Sequence, residues 1–414
     1  MRVLYCTDTY LPQVNGVSVV TDVSARGLGE RGWEVCVLAP RYPSHGSGAP
    51  HGVNPAARPL DPAAQGGPGS GLPRVEAVPS LPAPRYPDLR LAIPLPWRVA
   101  RLVSRFEPDI VHCATEFAVG RVGMWAATRA GIPVVTTYHT NFGQYATYYG
   151  LGRLRGPLER YIAGVHRAAR RTYTPSSASR AELWRMGVSD VEIWGRGVDA
   201  AHFSPEKRSE ALRRRLGLGH AFTFLHVGRL APEKNVAMVL DAFRILTQDF
   251  GPDAVRLVVA GAGPAEAAFH QDPPRGTVFL GNLDRVTELP ALYASADAFV
   301  FASITETLGL VVLEAMSSGL PVLAVPAGGV GDHLRDGANG IAVQPGDVEG
   351  MARGMRVVAT ASGLRERLGA GARATAVALD WNAELDRLDA SYRLVCDEVA
   401  AVRQLPARLG LRSA

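Results

Sequence analysis

No run of about 18 apolar residues free of charges and breakers occurs in the chain, so no membrane-spanning helix is expected. Met1 to Cys6 read as a buried strand. They lack the basic region, apolar stretch and small-residue cleavage site of a secretion signal, so a cytoplasmic location is expected. Cysteine is scarce: Cys6, Cys36, Cys113 and Cys396 are scattered, with no CxxC or Cys/His spacing. That excludes a disulfide framework and a zinc site, and reads as buried thiols in a reducing compartment. No Asp-x-Asp occurs, so a carboxylate clamp for a metal is missing and no metal is expected. The net charge of +5 is too mild for a nucleic-acid binder, though it leaves room for a local basic patch. No G-x-G-x-x-G and no repeat of solenoid length is found either.

What is present is a 414-residue chain, 47% hydrophobic and 20% charged, which suits two domains of ordinary soluble composition. Short apolar runs alternate with helical patterns, the signature of parallel βαβ units. Strands are predicted at Arg2–Cys6, Glu34–Leu38, Ile110–Cys113, Val134–Tyr138 and Thr172–Thr174, with helices at Ser18–Arg31 and Val119–Ala130. A second series follows at Phe222–Val227, Arg256–Ala260, Val278–Leu280, Ala298–Phe301 and Val322–Ala324. This predicts an α/β chain of two doubly wound domains, 1–203 and 204–380, then a terminal helix in 381–414. Ligands in such sheets bind beyond the carboxyl ends of the strands. Ser44–Pro87, dense in Pro, Gly and Ala, reads as a mobile loop within the first domain.

The most informative segment is Ser303-Ile-Thr-Glu306-Thr-Leu-Gly-Leu-Val-Val-Leu-Glu314, between a strand and a helix. The N–H groups of Leu308, Gly309 and Leu310 at that helix start form an anion site suited to a diphosphate. Glu306 precedes the helix and Glu314 lies about 7–8 Å further along it. One carboxylate can then serve a sugar and the other a ribose; an N-capping acid plus an exposed helix glutamate is the bland alternative. In His226-Val-Gly-Arg229-Leu-Ala-Pro-Glu233-Lys234, two cations at a strand's carboxyl end are placed to neutralise a leaving diphosphate. They also fit a surface pair with Glu233.

Weaker signals come from three further strand ends. Gly16 in Asp8-Thr-Tyr-Leu-Pro-Gln-Val-Asn15-Gly16 permits close backbone approach to a phosphate or sugar. His139, in Thr136-Thr-Tyr-His139-Thr-Asn141-Phe142, is equally a satisfied structural histidine. Gly261-Ala-Gly263-Pro264 is poor as a dinucleotide fingerprint.

Together, in this order and spacing, these segments resemble the retaining glycosyltransferases of family 4, which have the GT-B fold. The resemblance covers Arg2 to about Asp389, outside the Pro/Gly stretch. It implies a nucleotide-sugar donor as substrate and no cofactor. Arg229 and Lys234 would bind its diphosphate, Glu314 its ribose, and Glu306 its sugar, aided by the backbone at Leu308–Leu310. Gly16 and His139 would act from the opposite domain, His139 with Arg229, Lys234 and Glu306 as the groups in catalysis. The terminal helix around Trp381 would cross back onto the first domain. Two departures stand out: Leu308 replaces a common Phe, and the Pro/Gly insertion is not typical.

Tyr138-His-Thr-Asn141-Phe…Gln144-Tyr145…Tyr148-Tyr149-Gly150 resembles the bacterial lipid-directed mannosyl- and hexosyltransferases of that family. It implies GDP-mannose over a UDP-hexose, and a lipid-linked acceptor near Asn141 and Tyr145. Arg153–Arg171 carries six arginines against one acid, and on a helix Arg160, Arg167 and Arg171 would share one face. That face is expected to meet anionic lipid headgroups, making the protein peripheral on the inner leaflet. The alternatives are a UDP-hexose transferase with a soluble sugar acceptor, a sugar-nucleotide epimerase, a binding protein, or a nicotinamide-dependent dehydrogenase, the last opposed by the missing fingerprint.

Overall fold

The computed structural model describes residues 1–43, 72–83, 86–148, 150, 152–251 and 253–408. Its first sheet has seven parallel strands in the order β3 (Arg74–Val78), β2 (Glu34–Pro40), β1 (Arg2–Cys6), β6 (Ile110–Cys113), β7 (Val134–Thr137), β8 (Arg171–Thr174), β9 (Val191–Ile193). The second has six, in the order β12 (Thr277–Gly281), β11 (Val255–Ala260), β10 (Phe222–Val227), β13 (Ala298–Phe301), β14 (Val322–Ala324), β15 (Gly340–Ala342). These strands are near-continuous apolar runs because helices cover both faces of each sheet. Phe224, Val259 and Val300 face one layer of helices while Leu225, Val258 and Phe299 face the other.

Both sheets reverse their strand order beside the first strand, at β1/β6 and at β10/β13. Such a switch point opens a crevice at the carboxyl ends. The loops leaving β10 and β13 therefore emerge side by side, with Phe224 opposite Ala298 and Leu225 opposite Phe299.

The helix Trp381–Arg408 packs on the first sheet's domain. Trp33 Nε1 donates to Asp389 Oδ1 (2.6 Å), Trp194 Nε1 to the Glu384 carbonyl (2.7 Å), and Tyr5 and Tyr392 share a hydroxyl bond of 3.0 Å. Gly197 makes room for this helix, since a Cβ there would lie 2.2 Å from the Trp381 indole.

The stretch read as one loop from Ser44 to Pro87 is shorter at its far end. Residues 44–71 lie outside the described part of the chain. Arg74–Val78 is the edge strand β3, and β4 (Ser80–Ala83) pairs antiparallel with β5 (Tyr86–Ala92). The Gly/Pro-rich average of the preceding residues hid a five-residue alternation, Arg-Val-Glu-Ala-Val. Pro79, Pro82 and Pro87 are tolerated because a two-stranded ribbon has unpaired edges.

Candidate active site

Two loops of the second sheet meet at its switch point. After β13, Gly309 takes φ +79°, a conformation only glycine adopts freely, and starts the helix Leu310–Ser317. Among the described residues no side chain caps it, which leaves first-turn N–H groups for an anion. Leu308 and Gly309 are buried and Leu310 half-buried. The preceding turn is braced from behind: Gly329 N donates to the Glu306 carbonyl (2.7 Å), and a Cβ on Gly328 would sit 2.1 Å from that oxygen. Sequence reasoning passed over this Gly328-Gly329 pair; two adjacent glycines just after β14 were the available signal.

After β10, Lys234 Nζ reaches Glu306 Oε1 at 2.5 Å. Burial pushes the Glu306 carboxyl up, but the charge and hydrogen bond of Lys234, with the Ser303 hydroxyl, outweigh it. The group therefore ionises below its ordinary value. Arg229 pairs with Glu233, whose side chain is buried while the guanidinium is half exposed. The surface pairing weighed for these cations is thus partly present, with Glu233 acting as a buried anchor for Arg229.

The loop carrying Arg229 rests on the Gly261-Ala-Gly263 motif. A Cβ on Gly261 would be 1.9 Å from the Gly228 carbonyl oxygen, and one on Gly263 would be 2.3 Å from that of Leu230. Leu230 N donates to the Ala262 carbonyl (3.0 Å) and Ala265 N to that of Leu230 (2.9 Å). What reads poorly as a dinucleotide fingerprint is the seat of the cationic loop.

Glu314 is 2% exposed, not an exposed helix residue. Arg285 Nη2 lies 2.7 Å from its Oε1, and the Tyr293 hydroxyl donates to Oε2 at 3.1 Å. Arg285 also lies over the Phe203 ring, 5.2 Å from its centroid. Arg285 and Tyr293 were missed as partners because neither lies within helical reach of Glu314 in sequence.

From the first domain, the His139 carbonyl accepts the Thr307 hydroxyl at 2.6 Å, bringing His139 against the Glu306 turn. Burial, then the His166 charge, lowers its imidazole to about 4, so the ring is neutral at physiological pH. A second bridge between the domains joins Asp332 to the Ser177 N–H (2.7 Å) and to Arg196 (2.5 Å). Gly16 begins the helix Gly16–Glu30, where Asn15 and Ser18 form a capping box, and the space beside its Cα is open.

Among the acceptor-side expectations, the placing of Arg171 on a helix needs correction. Asn141 is buried and engaged at both ends of its amide: Nδ2 donates to Glu182 (2.6 Å) and Oδ1 accepts the Gln144 N–H (3.0 Å). Its Oδ1 bond to the Gln144 N–H caps the helix Phe142–Tyr148. The Tyr145 side chain lies outside the described part. Arg160 and Arg167 are exposed on the helix Arg155–Arg167, but Arg171 is not on it. It opens β8, bonded to Ser391 (2.9 Å) with Asp190 at 3.5 Å and Glu192 at 3.6 Å. The helical periodicity was carried four residues too far, into a strand.

Residues 14–202 match the model of Glycosyltransferase Family 4, and residues 209–375 that of Glycosyl transferases group 1. The chain is 35% identical over 395 residues to a GDP-mannose-dependent alpha-mannosyltransferase of Mycobacterium tuberculosis, covering 95% of this chain and 97% of that one. The chain belongs to the family 4 glycosyltransferases. It is also 31% identical over 343 residues to an alpha-monoglucosyldiacylglycerol synthase of Streptococcus pneumoniae, covering 78% and 71%. In fold it matches the Anabaena Alr3699/HepE structure solved with UDP (TM-score 0.72, 21% identity, 94% and 99% covered). It is thus a GT-B glycosyltransferase that moves a sugar from a nucleotide sugar. Among the described residues no helix is long and apolar enough to cross a membrane.

Proposed function

We propose that this glycosyltransferase moves a hexose, mannose in preference, from GDP-mannose to a hydroxyl of a lipid-linked acceptor with retention at the anomeric carbon. The observation that carries the reading is the Lys234–Glu306 pair at the open helix start, with His139 directly across. As the donor's bond breaks, negative charge grows on its diphosphate. Arg229, Lys234 and the N–H groups at Leu308–Leu310 meet that charge electrostatically, without a metal. Glu306 holds sugar hydroxyls, and Glu314, aimed by Arg285 and Tyr293, accepts from the ribose. The acceptor hydroxyl attacks the face that the diphosphate leaves, so the site needs no carboxylate nucleophile. The preference for GDP-mannose rests on the mannosyltransferase of 35% identity. Incubation with GDP-mannose and UDP-hexoses, scored for nucleoside diphosphate release and for the anomeric configuration of product, tests it. Release from UDP-glucose alone, or an inverted product, would refute it.

The acceptor half draws on the first domain's rim. β3 leaves the sheet at its carboxyl end and runs directly into the β4–β5 ribbon. Leu81 and Leu91 are opposite each other, and Ile93 shares their face. All three are exposed, as is Trp97 at 64%. The helix Pro96–Phe106 ends just before β6, so its start, with Trp97, lies at the same end of the sheet. Exposed Arg98 and Arg101 flank Trp97 on the outer helix face. Apolar groups flanked by cations suit an anionic bilayer, and with exposed Arg160 and Arg167 they support a reading in which the enzyme docks on the cytoplasmic leaflet.

A further inference from the structure

His226 lies at the carboxyl end of β10, fully buried, and no role has so far been attached to it. Its Nδ1 is 3.1 Å from the Val300 carbonyl, which only accepts, so Nδ1 carries the hydrogen. Burial lowers the ring to about 4 and the Lys234 charge adds to this, against the Val300 carbonyl and Glu306. The neutral ring therefore presents a bare lone pair at Nε2. Among the described residues that buried atom has no hydrogen-bond partner, an arrangement rare in folded proteins. The ring is fixed in place: it stacks on Phe301 at 5.7 Å and 20°, and a Cβ on Gly228 would come within 3.6 Å of Nε2. An acceptor is thus held under the root of the cationic loop, within the field of both Lys234 and Glu306.

The proposed function asks two things of the Lys234–Glu306 pair. Lys234 must turn to the diphosphate and Glu306 to sugar hydroxyls, so their mutual bond has to be given up or shared. An ammonium has three N–H groups to distribute, and a neutral acceptor can steer one without competing for its charge. Building on that reading, we propose that His226 is a positioning residue, whose Nε2 accepts an N–H from Lys234 when the diphosphate draws the ammonium off Glu306.

The variants His226→Phe, which keeps a stacking ring without an acceptor, and His226→Gln, which restores an acceptor without a ring, separate this from a packing role. With the donor, His226→Phe should lower kcat/KM by about 10- to 100-fold, the range for losing one hydrogen bond to a charged group. Because the bond forms already with nucleoside diphosphate, the affinity for it should fall as well, and His226→Gln should recover most of both losses. Equal kcat/KM and equal nucleoside diphosphate affinity in wild type and His226→Phe, or no rescue by Gln, overturns the proposal. Nitrogen-15 NMR of histidine-labelled wild-type protein decides even where a variant does not fold. Nucleoside diphosphate alone should move the Nε2 resonance as a hydrogen bond forms. A shift seen only with the intact nucleotide sugar would assign the partner to a sugar hydroxyl and overturn the Lys234 assignment. A wild-type enzyme that transfers from no nucleotide sugar would sink the function itself, which is a separate result.

Discussion

Lys234 donates to Glu306 across 2.5 Å, tying the loop after β10 to the loop after β13. Their separation of 72 positions in sequence is bridged because β10 and β13 are neighbours at the switch point of the sheet. In the proposed function the pair matches a cation for the leaving group with a carboxylate for the sugar.

That pairing sets a pH dependence. Burial alone would raise the Glu306 carboxyl, but Lys234 brings it below the ordinary value, so the ionised form is kept as pH falls. The acid limb of kcat/KM should therefore lie below the usual glutamate value of about 4.3. Lys234→Met removes the attraction and leaves the burial, so the limb should move up. A carbon-13 titration of the Glu306 carboxyl follows the same change where residual activity is too low. An unmoved titration would show that Lys234 does not control it.

The two glutamates should fail differently. Glu306→Ala should abolish transfer while nucleoside diphosphate still binds, because its partner is the sugar. Glu314→Ala should weaken nucleotide binding itself and leave Arg285, 23% exposed, without its buried partner. Calorimetric titration with free nucleoside diphosphate separates the two. Equal weakening would collapse the division of roles.

Much of this was legible in the sequence, and the reason is locality. Strands such as Arg2–Cys6 and Phe222–Val227 are buried on both faces, so each reads as a largely apolar run. The charged groups stand just past those runs, where a doubly wound sheet puts its crevice. Partnership was not legible. Nothing in the spacing tells that Glu314 is held by Arg285 and Tyr293, or that Arg171 serves a strand and the terminal helix. Those contacts are made by strand order, which sequence periodicity does not encode. The strands after Leu72 were lost for a different reason, since a short alternation carries little weight beside a Gly/Pro-rich neighbour.

The Gly261 seat gives a prediction outside the charged groups. Gly261 has φ +134° and its missing Cβ is occupied by the Gly228 carbonyl. Gly261→Ala should cost about 1–3 kcal/mol in unfolding free energy as the loop is forced away. Nucleoside diphosphate binding should fall with it, because Arg229 moves with the loop. Denaturant unfolding with calorimetry checks both; wild-type affinity in the variant would show that the seat does not position the loop.

Charge on the leaving diphosphate is assigned to protein groups, so activity should survive EDTA. Arg229→Ala or Lys234→Ala should each cost about 2–4 kcal/mol of transition-state stabilisation. Loss of wild-type activity in EDTA, with recovery on adding magnesium or manganese, would reassign that charge to a metal.

The proposed lipid acceptor raises the question of how a chain with no spanning helix among its described residues would reach it. Two basic surfaces compete: the helix face with Arg160 and Arg167, and the rim with Arg98, Arg101 and Trp97. Charge alone does not separate them, since each arginine near an anionic surface contributes about 1 kcal/mol. Both carry exposed apolar groups, Leu154 and Tyr161 at the helix, but the rim gathers more of them, with Leu81 at 58%, Leu91 at 50% and Trp97 at 64%. Indole rings settle at the headgroup level of a bilayer, where such a cluster inserts. The enzyme should sediment with anionic vesicles and not with neutral ones, and salt should weaken the attachment. Trp97→Ala with Leu91→Ser should reduce binding even at low salt, whereas Arg160→Glu with Arg167→Glu should reduce it only in part. If the helix variant abolishes binding and the rim variant leaves it intact, the docking face is the helix. If the wild-type protein ignores anionic vesicles at low salt, the acceptor is a soluble sugar and the apolar rim serves another contact.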